Sequence, residues 1–303
     1  KLHNKNQSVA FLIIVNDSIS YEKYWRGYSS TSMSNSFSMA KSWVATLIGA
    51  AIKDGYIKSV DQRVGDFLPE FRYGQKSKIT IKHLLTMSSG LNWNENYYNP
   101  LGQTAEAYYG DNLKKQTLNL RSIDFPGKTF IYHSSCTQIL SFVIESATNK
   151  TISKYMSEKL WVPMGASKEA SWSTDNHGNE KAFCCINSNA RDFARIGKLY
   201  LNYGVYNNVR IIDSSFVKQA VTPSNLVAKN GLPNESYGYH FWITRHKGLD
   251  VFYSRGHLGQ YVICVPEKNM IIVRLGEKSS EELPNGHHKD LYEYLDGALE
   301  MFF

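Results

Sequence analysis

The stretch Ser38-Met39-Ala40-Lys41 stands at the start of a run whose apolar residues recur every three or four positions. That spacing predicts a helix with one buried face, and Gly55 ends the pattern. We therefore expect Ser38 at the helix N-terminus, with Lys41 one turn later on the same face. A hydroxyl within reach of an amine indicates a serine that is activated without histidine. The apolar positions are Ala40, Trp43, Val44, Leu47, Ile48, Ala51 and Ile52.

The Ser-x-x-Lys spacing alone is weak evidence, because it also occurs from Ser20 to Lys23 and from Ser215 to Lys218. The first of these copies lies in a strand-like run, where residues three apart point to opposite faces. The second copy begins a predicted helix, where a serine usually caps the backbone. Only the Ser38 copy combines the spacing with a long apolar-periodic helix.

Composition indicates a globular protein of ordinary polarity. The chain has 303 residues and a formal charge of +7. Lysines and arginines alternate with acidic residues, so we expect no nucleic-acid partner. No apolar stretch approaches the ~20 residues that cross a bilayer, so we expect no integral membrane segment. No linker rich in Pro, Gly or Ser divides the chain, which predicts a single catalytic domain over 1–303.

The four cysteines, Cys136, Cys184, Cys185 and Cys264, show no Cys-x-x-Cys spacing. We expect them to be small buried hydrophobic residues, without a disulfide framework. The nine histidines form no metal-ligand pattern with acidic partners. The sequence therefore predicts neither a metal site nor a cofactor.

Strand signals lie at both ends of the chain. Apolar runs at 9–15 and 18–25 predict an N-terminal hairpin, and three runs at 251–254, 261–265 and 270–274 predict an antiparallel meander, because their connections are short. A last helix over 289–303 is expected to pack on this sheet. The segment between these ends is rich in helices and loops. We predict an α+β fold with an α/β lobe at about 1–70 and 190–303 and an inserted helical lobe at about 71–189.

Five aromatic residues gather in a segment that has no steady period. Such residues dominate both binding clefts and cores, so they either line a substrate cleft or pack beneath a long loop. Both interpretations stay open at this point. The residues are Trp93, Tyr97, Tyr98, Tyr108 and Tyr109.

Hydrolysis by a serine–lysine pair also requires a proton relay to the leaving group and donors for the oxyanion. Tyr132 lies after the turn at 125–128, and 255–260 reads Arg-Gly-His-Leu-Gly-Gln before a strand. With these motifs in this order, the chain resembles class C β-lactamase-type serine hydrolases, for which Ser-x-x-Lys is a signature. Their penicillin-recognising group includes D-alanyl-D-alanine peptidases, family VIII esterases and 6-aminohexanoate-dimer hydrolases. Segments at 60–71, 79–91 and 190–197 extend the resemblance over nearly the whole chain.

The resemblance implies an antiparallel sheet flanked by N- and C-terminal helices, with the active site between this sheet and a mostly helical lobe. Ser38 would be the nucleophile, Lys41 would take its proton or hold it acidic, and Tyr132 would relay the proton to the leaving group. The backbone N–H groups of Ser38 and Gln260 would form the oxyanion hole. Three residues would bind substrate. His257 and Gly259 match the first and last residues of the Lys-Thr-Gly motif of β-lactamases. Ser134 is at the position where β-lactamases usually have Asn.

These departures bear on the substrate. His257 replaces a permanent ammonium, and an unperturbed imidazole is mostly neutral at pH 7. We therefore expect an esterase or amidase acting on a small ester, amide or peptide-like molecule. D-alanyl-D-alanine peptidase or β-lactamase activity, and a catalytically silent ligand-binding or sensor domain of the same fold, are the alternatives. Oligomeric state and compartment are open, with a periplasmic or envelope-associated location after removal of an N-terminal segment as one expectation.

Overall fold

Strands from both ends of the chain build one six-stranded sheet in the computed structural model, which describes residues 2–303. Seven shorter strands lie in the connecting segments and form small two- and three-stranded sheets. In chain order the strands are β1 (Ser8–Val15), β2 (Ser18–Tyr24), β3 (Ser34–Asn35), β4 (Thr129–Phe130), β5 (Ser171–Trp172), β6 (Ile186–Ser188), β7 (Val205–Tyr206), β8 (Val209–Arg210), β9 (Val227–Ala228), β10 (Trp242–His246), β11 (Leu249–Gly256), β12 (Gln260–Val265) and β13 (Met270–Gly276).

The main sheet has the order β10-β11-β12-β13-β1-β2, and each neighbouring pair is antiparallel. The predicted α+β class, the N-terminal hairpin and the three C-terminal strands are confirmed. Strand β10 was missed, because this edge strand is mostly half-buried and its sequence is neither an apolar run nor an alternation.

Helices fill the middle of the chain and cover the sheet. None of those described between residues 2 and 303 is long and apolar enough to span a membrane. In chain order they are α1 (Leu2–Lys5), α2 (Ala40–Lys53), α3 (Ile81–Leu85), α4 (Gln103–Tyr109), α5 (Leu113–Leu118), α6 (Ser134–Thr148), α7 (Ile152–Met156), α8 (Ala190–Leu201), α9 (Ser214–Ala220) and α10 (Lys289–Phe302).

Both faces of the main sheet are buried. Leu291 and Leu295 of α10 pack on one face, together with Ile263 and Ile272 of the central strands. Helix α8 lies on the other face, close enough that a side chain on Gly197 would contact Cys264 and Ile271. This double cover explains why the central strands read as continuous apolar runs instead of alternating patterns.

Helix α2 is buried on all sides, so the prediction of a single buried face was wrong. Residues 40–51 are all buried, because α2 packs between α6, α9 and β11. The polar side chains that enter the core with it find partners, as buried polar groups must. The Ser42 hydroxyl donates to the His240 carbonyl at 2.6 Å, and the Thr46 hydroxyl donates to the Ser42 carbonyl at 2.7 Å. The helix that follows Ser38 is thus held rigidly at the centre of the molecule.

Candidate active site

Ser38 lies in a short 3₁₀ turn, Phe37–Met39, directly before α2. The preceding residue ties this turn to β6. The Ser36 N–H donates to the Ile186 carbonyl at 2.7 Å, and the Ile186 N–H donates to the Ser36 hydroxyl at 3.0 Å. The turn therefore presents Ser38 at the start of a buried helix, as the sequence indicated.

Lys41 contacts the Ser38 hydroxyl directly. Its Nζ lies 2.9 Å from Ser38 Oγ and 2.8 Å from the carbonyl oxygen of Phe183, and the residue is only 1% exposed. Burial disfavours the ammonium form and lowers the pKa of Lys41 to about 8, although the Glu95 carboxylate acts in the opposite direction. An amine with this pKa is in part neutral near physiological pH and can accept a proton.

Tyr132 lies beside this pair. Lys41 Nζ is 5.1 Å from the centre of the Tyr132 ring, which stacks on Trp242 at 5.8 Å. Burial raises the pKa of the Tyr132 phenol well above its ordinary value and the charge of Glu95 adds to this, whereas a hydrogen bond with Ser38 lowers it. The phenol is therefore protonated at neutral pH, and it can donate a proton.

The turn between β11 and β12 carries the His-Leu-Gly motif. The Phe37 ring packs edge-on against His257 at 5.7 Å, which places this motif opposite the nucleophile turn. Gly259 has φ +76°, and a Cβ at this position would lie 2.5 Å from Arg274 Nη1. That same Nη1 donates to the carbonyls of Leu258 and Gly259, at 2.7 Å each. Buried Arg274 therefore holds the shape of this turn, which explains the glycine.

Gln260 begins β12 directly after this turn. Its side chain is engaged with β13: Nε2 donates to the Gly276 carbonyl at 2.5 Å, and Oε1 accepts from the Gly276 N–H at 3.0 Å. These two bonds hold the side-chain amide against β13. The predicted contribution of Gln260, a backbone N–H in the oxyanion hole, does not require this side chain.

Ser134 is buried at the first position of α6, under a carboxylate. Its hydroxyl donates to Glu95 Oε1 at 2.5 Å, and its N–H donates to Glu95 Oε2 at 2.8 Å. His257, in contrast, remains largely accessible to solvent. The Phe37 and Tyr97 rings beside it remove part of the water around the imidazole, and this desolvation lowers the pKa of the imidazole. The ring is thus neutral at pH 7 and supplies no permanent positive charge.

The expectation for the cysteines was wrong for two of the four. Cys184 and Cys185 form a disulfide between adjacent residues, whereas Cys136 and Cys264 are free and buried as expected. Neither the cysteine spacing nor the family resemblance had indicated this bond. It lies between Phe183, whose carbonyl binds Lys41, and Ile186, which binds Ser36. The disulfide thus restrains the segment that holds both Lys41 and the nucleophile turn.

The aromatic segment divides between the two open interpretations. Trp93 is 6% exposed and packs in the core. The Tyr97 ring stacks on His257, with centroids 6.0 Å apart and planes within 8°, so it borders the site. Tyr98 and Tyr109 are almost fully exposed and do neither.

The sequence did not predict that several other residues lie at this site. The Phe183 acceptor is a backbone carbonyl, and Arg274 and Trp242 approach the site only because their strands pair. Glu95 was the one visible hint, as an acidic residue within the aromatic segment. Its position against Ser134 depends on the path of the loop.

The fold and the Ser-x-x-Lys geometry define a β-lactamase/transpeptidase-like protein. The family model described as Beta-lactamase matches residues 3–292, and the chain belongs to this family of serine hydrolases.

Three comparisons illustrate its relatives. The 6-aminohexanoate-dimer hydrolase of Paenarthrobacter ureafaciens is 24% identical, over 92% of this chain and 74% of that protein. A structure described as a putative 6-aminohexanoate-dimer hydrolase from Bacillus anthracis superposes with a TM-score of 0.83 at 23% identity, covering 99% of this chain and 80% of the other. A family VIII carboxylesterase structure gives a TM-score of 0.77 at 16% identity, covering 98% and 93%. These structures share the fold.

Proposed function

We propose that this chain hydrolyses small esters or amides through an acyl-enzyme formed on Ser38. In this mechanism Lys41 takes the Ser38 proton as the hydroxyl attacks the substrate carbonyl. The backbone N–H groups of Ser38 and Gln260 stabilise the oxyanion, where one donor contributes roughly 3 kcal/mol. Tyr132 then gives its proton to the leaving group and regains one from the Lys41 ammonium, so that Lys41 is neutral again. Water next attacks the acyl carbonyl and gives a proton to Lys41, which passes it to Ser38 as the acyl group leaves.

One observation carries the proposal: Lys41 Nζ lies 2.9 Å from Ser38 Oγ while burial lowers its pKa to about 8. An ordinary surface lysine is charged at pH 7 and is a poor base. Here burial makes a part of the amine neutral near physiological pH, and the amine contacts the hydroxyl that must be deprotonated. Tyr132 in the same cluster supplies the second proton carrier.

The His257-Leu258-Gly259 motif favours esterase or amidase activity. A lysine at this place offers a permanent charge to a substrate carboxylate, whereas the pKa of His257 is lowered and its ring is neutral. The structures described as a putative 6-aminohexanoate-dimer hydrolase and as a family VIII carboxylesterase have the same fold. We therefore assign substrates without an essential carboxylate.

Turnover and adduct mass on a substrate panel test this function. We expect hydrolysis of p-nitrophenyl butyrate and of the corresponding anilide, and a covalent adduct with a fluorophosphonate seen by intact-protein mass spectrometry. A long-lived adduct with a fluorescent penicillin would instead favour cell-wall peptidase or β-lactamase chemistry. Ligand binding without turnover or adducts would identify a catalytically silent domain.

The pH dependence of kcat/KM tests the role of Lys41. Burial makes its ammonium lose the proton at a lower pH, with a pKa of about 8. Below this value the amine is protonated and cannot accept the Ser38 proton. We expect kcat/KM for p-nitrophenyl butyrate to rise about tenfold per pH unit up to this region and then to level off. A fall in kcat/KM above pH 8 would show instead that the protonated lysine is required.

A further inference from the structure

Glu95 is a carboxylate inside the candidate active site to which the proposed mechanism assigns no step. Its Oε1 accepts hydrogen bonds from the Ser134 hydroxyl at 2.5 Å and the Tyr97 phenol at 2.6 Å. Its Oε2 accepts from the Trp93 indole at 2.6 Å and the Ser134 N–H at 2.8 Å. A carboxylate has about four lone-pair positions, so all are occupied. Glu95 is therefore held in one place and acts on a ligand through its charge instead of a direct ion pair.

This charge is close to the reacting groups. Ser134 follows Tyr132 by two residues, and Tyr97 stacks on His257, so the partners of Glu95 border the site on two sides. The negative charge raises the pKa of both Lys41 and Tyr132. It also acts on five other groups, which are Tyr97, Tyr108, His133, Cys136 and Tyr237.

Few cations oppose it among the described residues. Lys41 is buried and bound to Ser38, and His257 is neutral. The Arg255 guanidinium lies 3.7 Å over the ring of Trp242 and donates to the Gly286 carbonyl at 2.8 Å. Its charge lowers the pKa of Tyr132, against the effect of Glu95, but it forms no ion pair with Glu95. The charge of Lys229 also acts on His133, without an ion pair to Glu95. Among residues 2–303, a substrate in this site therefore meets a fixed negative charge whose four hydrogen-bond donors are all uncharged groups.

We propose that Glu95 is a specificity-determining residue, which makes the site favour substrates with a positively charged group, such as a protonated amine, over substrates with a carboxylate. The inference rests on the proposed function and narrows its substrate class. A fixed charge attracts one sign and rejects the other, and rejection of the wrong charge contributes to specificity. Penicillins and peptides with a free C-terminus carry a carboxylate and fall in the rejected class.

Three p-nitrophenyl esters of matched length test this inference. They are the cationic 6-(trimethylammonio)hexanoate, the neutral 7,7-dimethyloctanoate and the anionic hemisuberate, and kcat/KM is measured for each with wild type, Glu95→Gln and Glu106→Gln. We expect wild type to prefer the cationic over the anionic ester by about tenfold or more, as for charges at nanometre range in a partly dry site. Glu95→Gln should bring this ratio close to one. Glu106→Gln is the matched control, because Glu106 is also a carboxylate that accepts a side-chain hydrogen bond, from Gln116, but it is exposed on α4.

A second readout follows from the influence of Glu95 on the pKa of Lys41. Removing the charge should move the acid limb of the neutral-ester pH profile to lower pH. If Glu95 only fastened the loop to α6, Glu95→Gln would lower all three rates by one factor and leave the limb in place, which would overturn the inference. So would a wild type without charge preference, a result that does not depend on the variant folding. Failure to hydrolyse even the neutral ester would overturn the proposed function itself.

Discussion

Ser38→Ala is expected to lower kcat/KM for p-nitrophenyl butyrate by at least about three orders of magnitude, as removal of a catalytic nucleophile does. Fluorophosphonate labelling should disappear in the same variant, because among residues 2–303 no other serine is in contact with a buried lysine amine. The variant should fold, because the Ser38 side chain is only half-buried and Lys41 keeps its hydrogen bond to the Phe183 carbonyl when the Ser38 hydroxyl is lost. Intact-protein mass spectrometry and initial rates measure both effects.

Ser215→Ala is the matched control for this experiment. Ser215 belongs to another Ser-x-x-Lys sequence, on α9, but its side chain is exposed. Its loss should change neither labelling nor turnover. Labelling that persists in Ser38→Ala, or that disappears in Ser215→Ala, would assign the nucleophile elsewhere.

Tyr132→Phe is expected to reduce amide hydrolysis much more than ester hydrolysis. The buried phenol is protonated, and an amine leaving group requires a proton whereas p-nitrophenolate leaves without one. Loss of a general acid costs about 10²–10⁴-fold, so we expect this range for the butyryl anilide and less than about tenfold for the p-nitrophenyl ester. Rates on this substrate pair measure the difference.

The phenylalanine ring keeps the stacking on Trp242 and the edge-on contact with Tyr237, so the fold should survive the substitution. Tyr109→Phe is the control, because Tyr109 is 89% exposed. Ser38 should still react with the fluorophosphonate in Tyr132→Phe. An equal loss on both substrates would contradict a role for Tyr132 in leaving-group protonation and indicate that it positions Lys41.

Local patterns predicted the elements that depend on nearby residues. The hairpin, the last helix and the start of α2 were all predicted, because hydrophobic periodicity and turn residues determine secondary structure within a few positions along the chain. The edge strand β10 and the full burial of α2 were not predicted. Both depend on which distant segments pack against them, and local hydrophobic periodicity does not contain this information.

The same division holds for the site. Its motifs were visible as Ser-x-x-Lys, Tyr132 and His257-Leu258-Gly259, and the family comparison agrees with that interpretation. The roles of the individual residues remain proposals for the variants above. The disulfide between adjacent Cys184 and Cys185 and the four hydrogen bonds to Glu95 could not be predicted from the sequence, because they depend on the paths that the loops take in the folded chain.

The sequence by itself determined the N-terminal hairpin, the three C-terminal strands, the last helix, the serine–lysine pair on one helical turn, and the family. These follow from spacing along the chain, where a helical turn brings residues three apart together. Only the tertiary structure decided the chemistry of the pair. Enclosure of α2 buries Lys41 and lowers its pKa to about 8, and the loop that carries Glu95 places a negative charge beside Tyr132. Desolvation and Coulomb interaction depend on distance in space, which spacing along the chain does not record.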